Sequence, residues 1–198
     1  MENFSIEREV HAQGFRFVIG LDEVGRGCLA GPVVAGAVIL NPENIPLGIK
    51  DSKQLTKIQR EKMAVKIKSC ALAFAIGIAE VEEIDSINIL NASKLAMVRA
   101  IDSLSISGDF LLIDGNFKIP HPLPQRSVVK GDQLSASIGA AAIIAKVFRD
   151  EMMSHFEGQY PGYLFAQNKG YGSHAHRVAL TQKGPTPIHR KTFSWSAV

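Results

Sequence analysis

Two uncharged apolar runs near the start of the chain, residues 17–21 and 33–40, narrow what it can fold into. Neither run alternates polar with apolar residues. A strand that is apolar on both faces must be covered on both faces, and that is the arrangement of a sheet sandwiched between helices. Phe17-Val18-Ile19-Gly20-Leu21 runs into Asp22-Glu23 and then into the turn Val24-Gly25-Arg26-Gly27. Val33-Val34-Ala35-Gly36-Ala37-Val38-Ile39-Leu40 is rich in β-branched residues. The pair predicts two buried strands around a glycine turn.

The rest of the chain supplies the covering helices. Residues 55–68 fit a helix with an exposed basic face, and residues 71–79 a third strand. A helix is expected from Asp85 or Ser86, with Leu95, Val98, Ile101 and Leu104 recurring on one side, until Ser107-Gly108 ends it. Phe110-Leu111-Leu112-Ile113 reads as a strand halted at Asp114-Gly115-Asn116. Three prolines make residues 120–124 a loop, and residues 127–129 suit a short last strand. Leu134, Ile138, Ala141, Ala145, Phe148 and Met152 mark the strongest helix, whose alanines suit close packing on a sheet. A Gly/Tyr/Pro-rich loop over 158–172 leads to a final helix over 173–183, broken at Gly184-Pro185-Thr186-Pro187. Strands followed by alternating strands and helices predict an α/β domain with a mixed β-sheet and helices on both faces. At 198 residues it is expected to be a single domain able to bury its own core.

Charge is uneven. From Gly158 to Val198 there is no Asp or Glu, while Lys169, Arg177, Lys183, Arg190 and Lys191 carry five positive charges. The first 157 residues hold 17 basic and 19 acidic groups. Such asymmetry points either to a polyanionic partner or to a solvated surface where cations cluster by chance. The longest uncharged apolar stretch, Cys28 to Leu40, is 13 residues and is interrupted by Gly31, Pro32 and Gly36, too short to cross a membrane. No signal peptide is visible, and two cysteines, Cys28 and Cys70, suit buried thiols in a reducing compartment, so a cytoplasmic location is expected.

Two acidic loci stand where an α/β sheet places ligands, at strand ends, and a third, Asp132, lies just ahead of the long helix. Asp22 and Glu23 close the first strand, and Asp114 closes the strand 110–113. Acids withdrawn from water need a counter-charge. A divalent cation is one, and oxygen-only ligands favour Mg²⁺ or Mn²⁺ over Zn²⁺. Adjacent strand residues point to opposite faces, so Asp22 and Glu23 share a cation only if the strand becomes irregular at Val24-Gly25. Each acid also has a plain structural reading: a turn-capping pair for Asp22 and Glu23, a turn for Asp114, a helix N-cap for Asp132. His174 and His176 alternate like metal ligands but have no Cys or acid beside them, and read as a solvated pair. Lys53 and Lys146 could touch phosphates, and Asp150 is placed to pair with Lys146 along a helix. Neither a nucleophile elbow nor a Walker A or dinucleotide-binding loop is present.

Gly20-Leu21-Asp22-Glu23-Val24-Gly25-Arg26-Gly27, with Leu29-Ala30-Gly31-Pro32-Val33 after it, resembles the opening signature of ribonuclease HII. The resemblance continues in order through Lys50-Asp51-Ser52-Lys53, Asp114-Gly115-Asn116, Lys130-Gly131-Asp132, Arg149-Asp150, Lys169-Gly170-Tyr171-Gly172 and Pro187-Ile188-His189-Arg190. It implies a ribonuclease H-like fold and four active-site carboxylates, Asp22, Glu23, Asp114 and Asp132, holding two Mn²⁺ or Mg²⁺ ions. It further implies an endonuclease that cuts the RNA strand of RNA–DNA hybrids and cuts 5′ to a single ribonucleotide in duplex DNA. Gly25-Arg26-Gly27 would sense the 2′-hydroxyl, Tyr171 would stack on the adjoining deoxyribose, and Lys53 and Lys146 would contact phosphates. Gly139 and Ala142 depart from the pattern, standing where alanine and serine are usual. The related ribonuclease HIII carries an extra N-terminal domain and a lysine at the position of Arg26, and only about 16 residues precede the first strand here. A non-catalytic binding module on the same fold would have lost the carboxylates. A monomer is expected. The end of the chain, with Phe193 and Trp195, either reaches a sliding clamp or packs on the domain.

Overall fold

The computed structural model describes residues 4–49 and 55–196. One sheet of five strands runs in the order β3-β2-β1-β4-β5, with β1 at Val18–Val24, β2 at Val33–Leu40, β3 at Ala71–Ala79, β4 at Phe110–Asp114 and β5 at Gln125–Val128. β2 is antiparallel to β1 and to β3, while β4 is parallel to β1 and β5 parallel to β4. The sheet is therefore mixed, and β1 is the strand where the two directions meet. All of β2 is buried, as are the first five residues of β1, which is why neither alternates in sequence.

Helix α3 (Val81–Asp102) covers one face and α5 (Ala136–Gln159) with α2 (Lys57–Cys70) covers the other. Odd-numbered residues of the central strands, such as Ile19, Leu21, Ala35 and Ile39, join Ala96, Met97 and Ala100 of α3. Val38 and Leu40 face Ala140, Ala141 and Ile144 of α5 with Met63 and Ile67 of α2. Glycines allow the close approach. A Cβ at Gly20 would fall on the main chain of Ser137 and Ile138, one at Gly36 on the Ala141 carbonyl, and one at Gly77 on the Ala96 carbonyl. The remaining helices are α1 (Ser5–Ala12), α4 (Gly131–Leu134), α6 (Phe165–Asn168) and α7 (His174–Lys183).

The mixed α/β architecture is as expected, and several details differ. Helix α1 has no counterpart in the sequence reading. It lays Ile6 and Val10 on Phe110, Leu112 and Val128. Its buried Glu7 takes hydrogen bonds from Ser135 Oγ (2.6 Å) and Ser137 N (2.8 Å), placing a carboxylate at the N-terminus of α5. Helix α3 begins at Val81, four residues earlier than the first expected start, and ends at Asp102. Asn88, with φ of 66°, interrupts it, and the Asn88 side chain accepts from the N–H groups of Leu90 and Asn91, so the second stretch starts near the position that periodicity suggested. The expected apolar stripe of the long helix is shifted as well. Leu134 belongs to α4 and is 51% exposed, Phe148 is 36% exposed, and Ser135 caps α5 by accepting from Ile138 N. The first half of α5 is covered by the sheet, α2 and α4, so nearly all of its residues are buried and no single stripe exists. The expected strand over 127–129 begins two residues earlier and ends one earlier, and α6 forms inside the expected loop 158–172.

Close glycine packing is testable. Gly20→Ala forces a methyl into the α5 main chain and is expected to cost roughly 1–3 kcal/mol, as overpacking does. That corresponds to a fall in Tm of about 2–4 °C per kcal/mol at this chain length. Gly158→Ala, with open space around the new methyl, is the control and should leave stability equal or raised in the same denaturant titration.

Candidate active site

The parallel register of β1 and β4 pairs Leu21 with Ile113, so the next residues, Asp22 and Asp114, leave adjacent strands at the same level. β1 stays regular past the acids. Asp22, Glu23 and Val24 pair with Gly36, Ala35 and Val34, and the chain turns only at Gly25, with φ of 100°. The irregularity expected at Val24-Gly25 thus comes after the acid pair, yet both carboxylates border the same open cleft of about 320 Å³. Val24, Gly25, Arg26, Gly27, Arg60, Asp114, Ala142, Lys146 and Tyr171 complete its lining.

Each acid is held by a protein donor. Asp22 Oδ1 accepts from the Glu23 N–H at 2.7 Å, and Asp114 Oδ1 accepts from the Gly131 N–H at 2.7 Å. Glu23 Oε1 takes Arg26 Nη1 at 3.0 Å, while Glu23 Oε2 is buried with no hydrogen-bond partner. Burial pushes the Asp22 carboxyl well above the usual carboxylate range, and the charges of Glu23, Asp114 and Asp132 push the same way, the last least. Burial also raises Glu23, against the neighbouring Arg26. Asp132 is buried in the first turn of α4 and does not border the cleft. It is not the cap of the long helix either, because Ser135 fills that position.

Of the other residues singled out in the sequence, Gly25, Arg26, Gly27, Lys146 and Tyr171 all reach the cleft. Lys53 lies outside the described residues, as do Lys50, Asp51, Ser52 and Gln54. Lys146 Nζ bonds Asp150 Oδ1 at 2.6 Å, the helical pair that spacing suggested. Arg60, also on the cleft, lies 3.5 Å from the other Asp150 oxygen. The basic face of its helix was legible, but not which of its cations would reach this cleft. His174 is exposed, as a solvated histidine should be, whereas His176 is fully buried. The reason is local: Ser173 caps α7, and the cap turns His176 inward against Tyr163 and Phe165. Trp195 and Phe193 pack on the cluster around Tyr163 and Phe165.

A model of the family described as Ribonuclease HII matches residues 19–196. The chain belongs to the ribonuclease HII family. It is 56% identical over 176 residues to Ribonuclease HII of Nitrosococcus oceani, covering 89% of this chain and 88% of that one. With the Bacillus subtilis Ribonuclease HII it shares 53% identity over 190 residues, 96% and 74% of the two chains. Among solved structures, the ribonuclease H2 from Pyrococcus horikoshii OT3 superposes with a TM-score of 0.74 at 29% identity, covering 90% of this chain and 94% of that one. Family membership makes the chain a ribonuclease H, a nuclease and hydrolase, on a ribonuclease H-like α/β fold.

Ribonucleases H depend on divalent metal, and the acids of this cleft fit one. Among the described residues, no three or more His, Cys, Asp or Glu side chains stand close enough together to hold a metal ion by themselves. What is present is an open set of mutually repelling oxygens, with the unpartnered Glu23 Oε2 buried among them. Mg²⁺-like cations bind this way, through one or two carboxylates, retained waters and substrate phosphates.

A sign follows for stability. Because Asp22 is raised in the folded state, its ionisation opposes folding at every pH above its ordinary range, and the cost is complete once pH exceeds the folded value. Asp22→Asn keeps the acceptor for Glu23 N–H and removes that cost. In chelator at neutral pH the variant is expected to melt a few degrees higher, since each pH unit of displacement is worth about 1.4 kcal/mol. Added Mn²⁺ should raise the Tm of the wild type more than that of the variant. Equal Mn²⁺ shifts would remove Asp22 from the cation site.

Proposed function

We propose that this chain is an endonuclease that hydrolyses the RNA strand of RNA–DNA hybrids and incises duplex DNA 5′ to a single embedded ribonucleotide, leaving 3′-hydroxyl and 5′-phosphate ends. One observation carries the reading: the carboxylates at the ends of β1 and β4 share their cleft with a glycine-arginine-glycine turn and an exposed tyrosine. In this proposal Asp22, Glu23, Asp114 and Asp132 hold two Mg²⁺ or Mn²⁺ ions, Asp132 being near enough for its charge to be felt at Asp22. When bound, such ions lower the pKa of an attacking water and offset charge on the leaving oxygen.

The other roles are those of the protein's own groups. Gly27 has open space around it, which lets a ribose come against the main chain. Only RNA offers a 2′-hydroxyl there, both donor and acceptor. Arg26 stands beside Glu23 and offsets its charge as the phosphate approaches. Tyr171, 43% exposed, is free to stack on a sugar next to the ribonucleotide. Lys146 and Arg60 face the flanking phosphates, and Lys53 is proposed to do the same. The catalytic unit is the whole chain, 1–198, with residues 158–198 helping to hold the substrate. The substrate partners are thus RNA–DNA hybrid and ribonucleotide-containing duplex DNA.

Cleavage of a labelled DNA duplex carrying one ribonucleotide, in Mg²⁺ or Mn²⁺, tests the proposal. Asp114→Asn is expected to lose at least about 100-fold in rate, since even outer-shell changes at metal sites cost about 10–100-fold. No cleavage by the wild type, or full activity in Asp114→Asn, would sink it. Arg26→Ala should lower ribonucleotide-directed cutting about ten-fold or more, the worth of a charge-assisted hydrogen bond at about 1.5–3 kcal/mol. The Mn²⁺ concentration for half-maximal rate should move far less.

A further inference from the structure

Behind Tyr171 the structure holds a buried chain of hydrogen bonds that the chemistry described above does not use. His176 Nδ1 lies 2.8 Å from the Tyr171 carbonyl, His176 Nε2 lies 3.0 Å from His189 Nε2, and His189 Nδ1 lies 2.8 Å from Thr186 N. Each end of this chain has a main-chain group of fixed role, and the Thr186 hydroxyl, also 2.8 Å from His189 Nδ1, can turn its proton to suit. The Tyr171 carbonyl can only accept, so His176 carries its proton on Nδ1 and presents a bare Nε2. The Thr186 N–H can only donate, so His189 is bare at Nδ1 and carries its proton on Nε2. The two requirements agree where the rings meet, because His189 Nε2–H then donates to His176 Nε2. Both rings are neutral, every ring nitrogen is satisfied, and only one pair of tautomers allows it.

The pair is well placed to hold a position. His176 is fully buried and His189 is 3% exposed, both against Phe165, with ring centroids 5.4 Å and 5.6 Å away. The residue after His189 reaches the substrate-facing turn directly. Arg190 donates to the carbonyls of Gly25 (2.6 Å), Arg26 (2.9 Å) and Gly31. Tyr171 is tied to the far end of the same turn through its bridge with Cys28. The turn, Tyr171, the two histidines and Arg190 therefore close a ring. Protonating His176 would set two N–H groups face to face at 3.0 Å, protonating His189 would set its Nδ1–H against the Thr186 N–H at 2.8 Å, and burial opposes protonation of both.

We propose that His176 and His189 are positioning residues that fix Tyr171 at a set distance from the Gly25–Gly27 turn, and so set the preference for a ribonucleotide followed by DNA over a continuous hybrid. The inference rests on the roles proposed above for that turn and for Tyr171. A continuous hybrid offers no deoxyribose to Tyr171 in the cut strand, so loosening the ring penalises it less.

Two substrates are compared at saturating Mn²⁺: duplex DNA with one ribonucleotide, and a uniform RNA–DNA hybrid. His176→Phe keeps a buried ring but cannot donate to the Tyr171 carbonyl. It should lower kcat/KM on the single-ribonucleotide duplex about ten-fold relative to the uniform hybrid, a change of about 1.4 kcal/mol. His176→Asn, whose amide can reach the same carbonyl, should recover most of the ratio. Equal losses on both substrates, with no rescue by asparagine, would overturn the proposal and leave the pair a packing element. Should His176→Phe fail to fold, ¹⁵N spectra of the wild-type imidazoles decide. They should show His176 protonated at Nδ1 and His189 at Nε2, both neutral at pH 6, and exchanging or reversed tautomers would break the ring as described. A wild type that cuts neither substrate would instead refute the underlying function, a distinguishable result.

Discussion

Two buried guanidinium groups hold the loops on which the cleft depends. Arg149, from α5, donates to the carbonyls of Ala30, Pro32 and Lys169, and Arg190 to those of Gly25, Arg26 and Gly31. Both side chains are essentially inaccessible, and burial lowers Arg190 to about 10, which still leaves it charged at neutral pH. A buried charge is tolerable only when its donors are satisfied. Here irregular backbone does it, and the need is mutual, since the same carbonyls would otherwise lack donors. A guanidinium suits this role because its five donors are set in a rigid plane, whereas a lysine would meet one or two carbonyls. Loss of Arg149 would untie Lys169 from the Ala30–Pro32 loop, and loss of Arg190 would untie the Gly25-Arg26 turn from Gly31, each as well as weakening the fold.

The clamp also explains why the loops around the cleft are rich in glycine. Gly25 sits so close to the Arg149 guanidinium that a Cβ would collide with it, and its φ of 100° is unfavourable to other residues. Gly170 has a φ of 84° and would collide with the Ala30 carbonyl. The motif Gly-Arg-Gly thus has two causes. Gly25 is required by what lies behind it, while Gly27, with nothing within reach of a Cβ, borders the open cleft and is the residue the proposed function sets against the ribose.

This division separates what was legible in the sequence from what was not. The strands could be read because burial on both faces leaves continuous apolar runs, and residues 71–79 are the strand that was expected. Asp22, Glu23 and Asp114 could be read because an acid directly after such a run needs a reason. Arg149 and Arg190 left no such mark. Their partners are main-chain carbonyls, which have no side-chain signature, and they lie 20 to 165 residues away along the chain. His176 looked solvated because its inward turn depends on a cap and on His189, 13 residues further on. Helix α1 escaped because only two of its residues, Ile6 and Val10, form its apolar contact, and its buried glutamate answers a need at the N-terminus of α5 rather than any local pattern.

The charge asymmetry changes its meaning in three dimensions. The acid-free segment from Gly158 carries five cations, and several are engaged within the protein. Arg190 is inside the clamp. Lys169 donates to the Asp150 carbonyl and to Ser154 Oγ, and Lys183 donates to the Pro161 carbonyl beside the Tyr163 ring. Each phosphate neutralised by a protein cation steepens the salt dependence by about 0.9 in the log–log slope. Five free cations would therefore imply a steeper dependence than this segment can supply. Among the described residues, the cations that border the acids are Arg26, Arg60 and Lys146, from the first turn and from helices α2 and α5. Asp150 lies between Arg60 and Lys146 and restrains both. Under the proposed function a polyanion is thus drawn to the acids by cations that border the same cleft, while much of the basic segment serves to fix the shape of the loops around it.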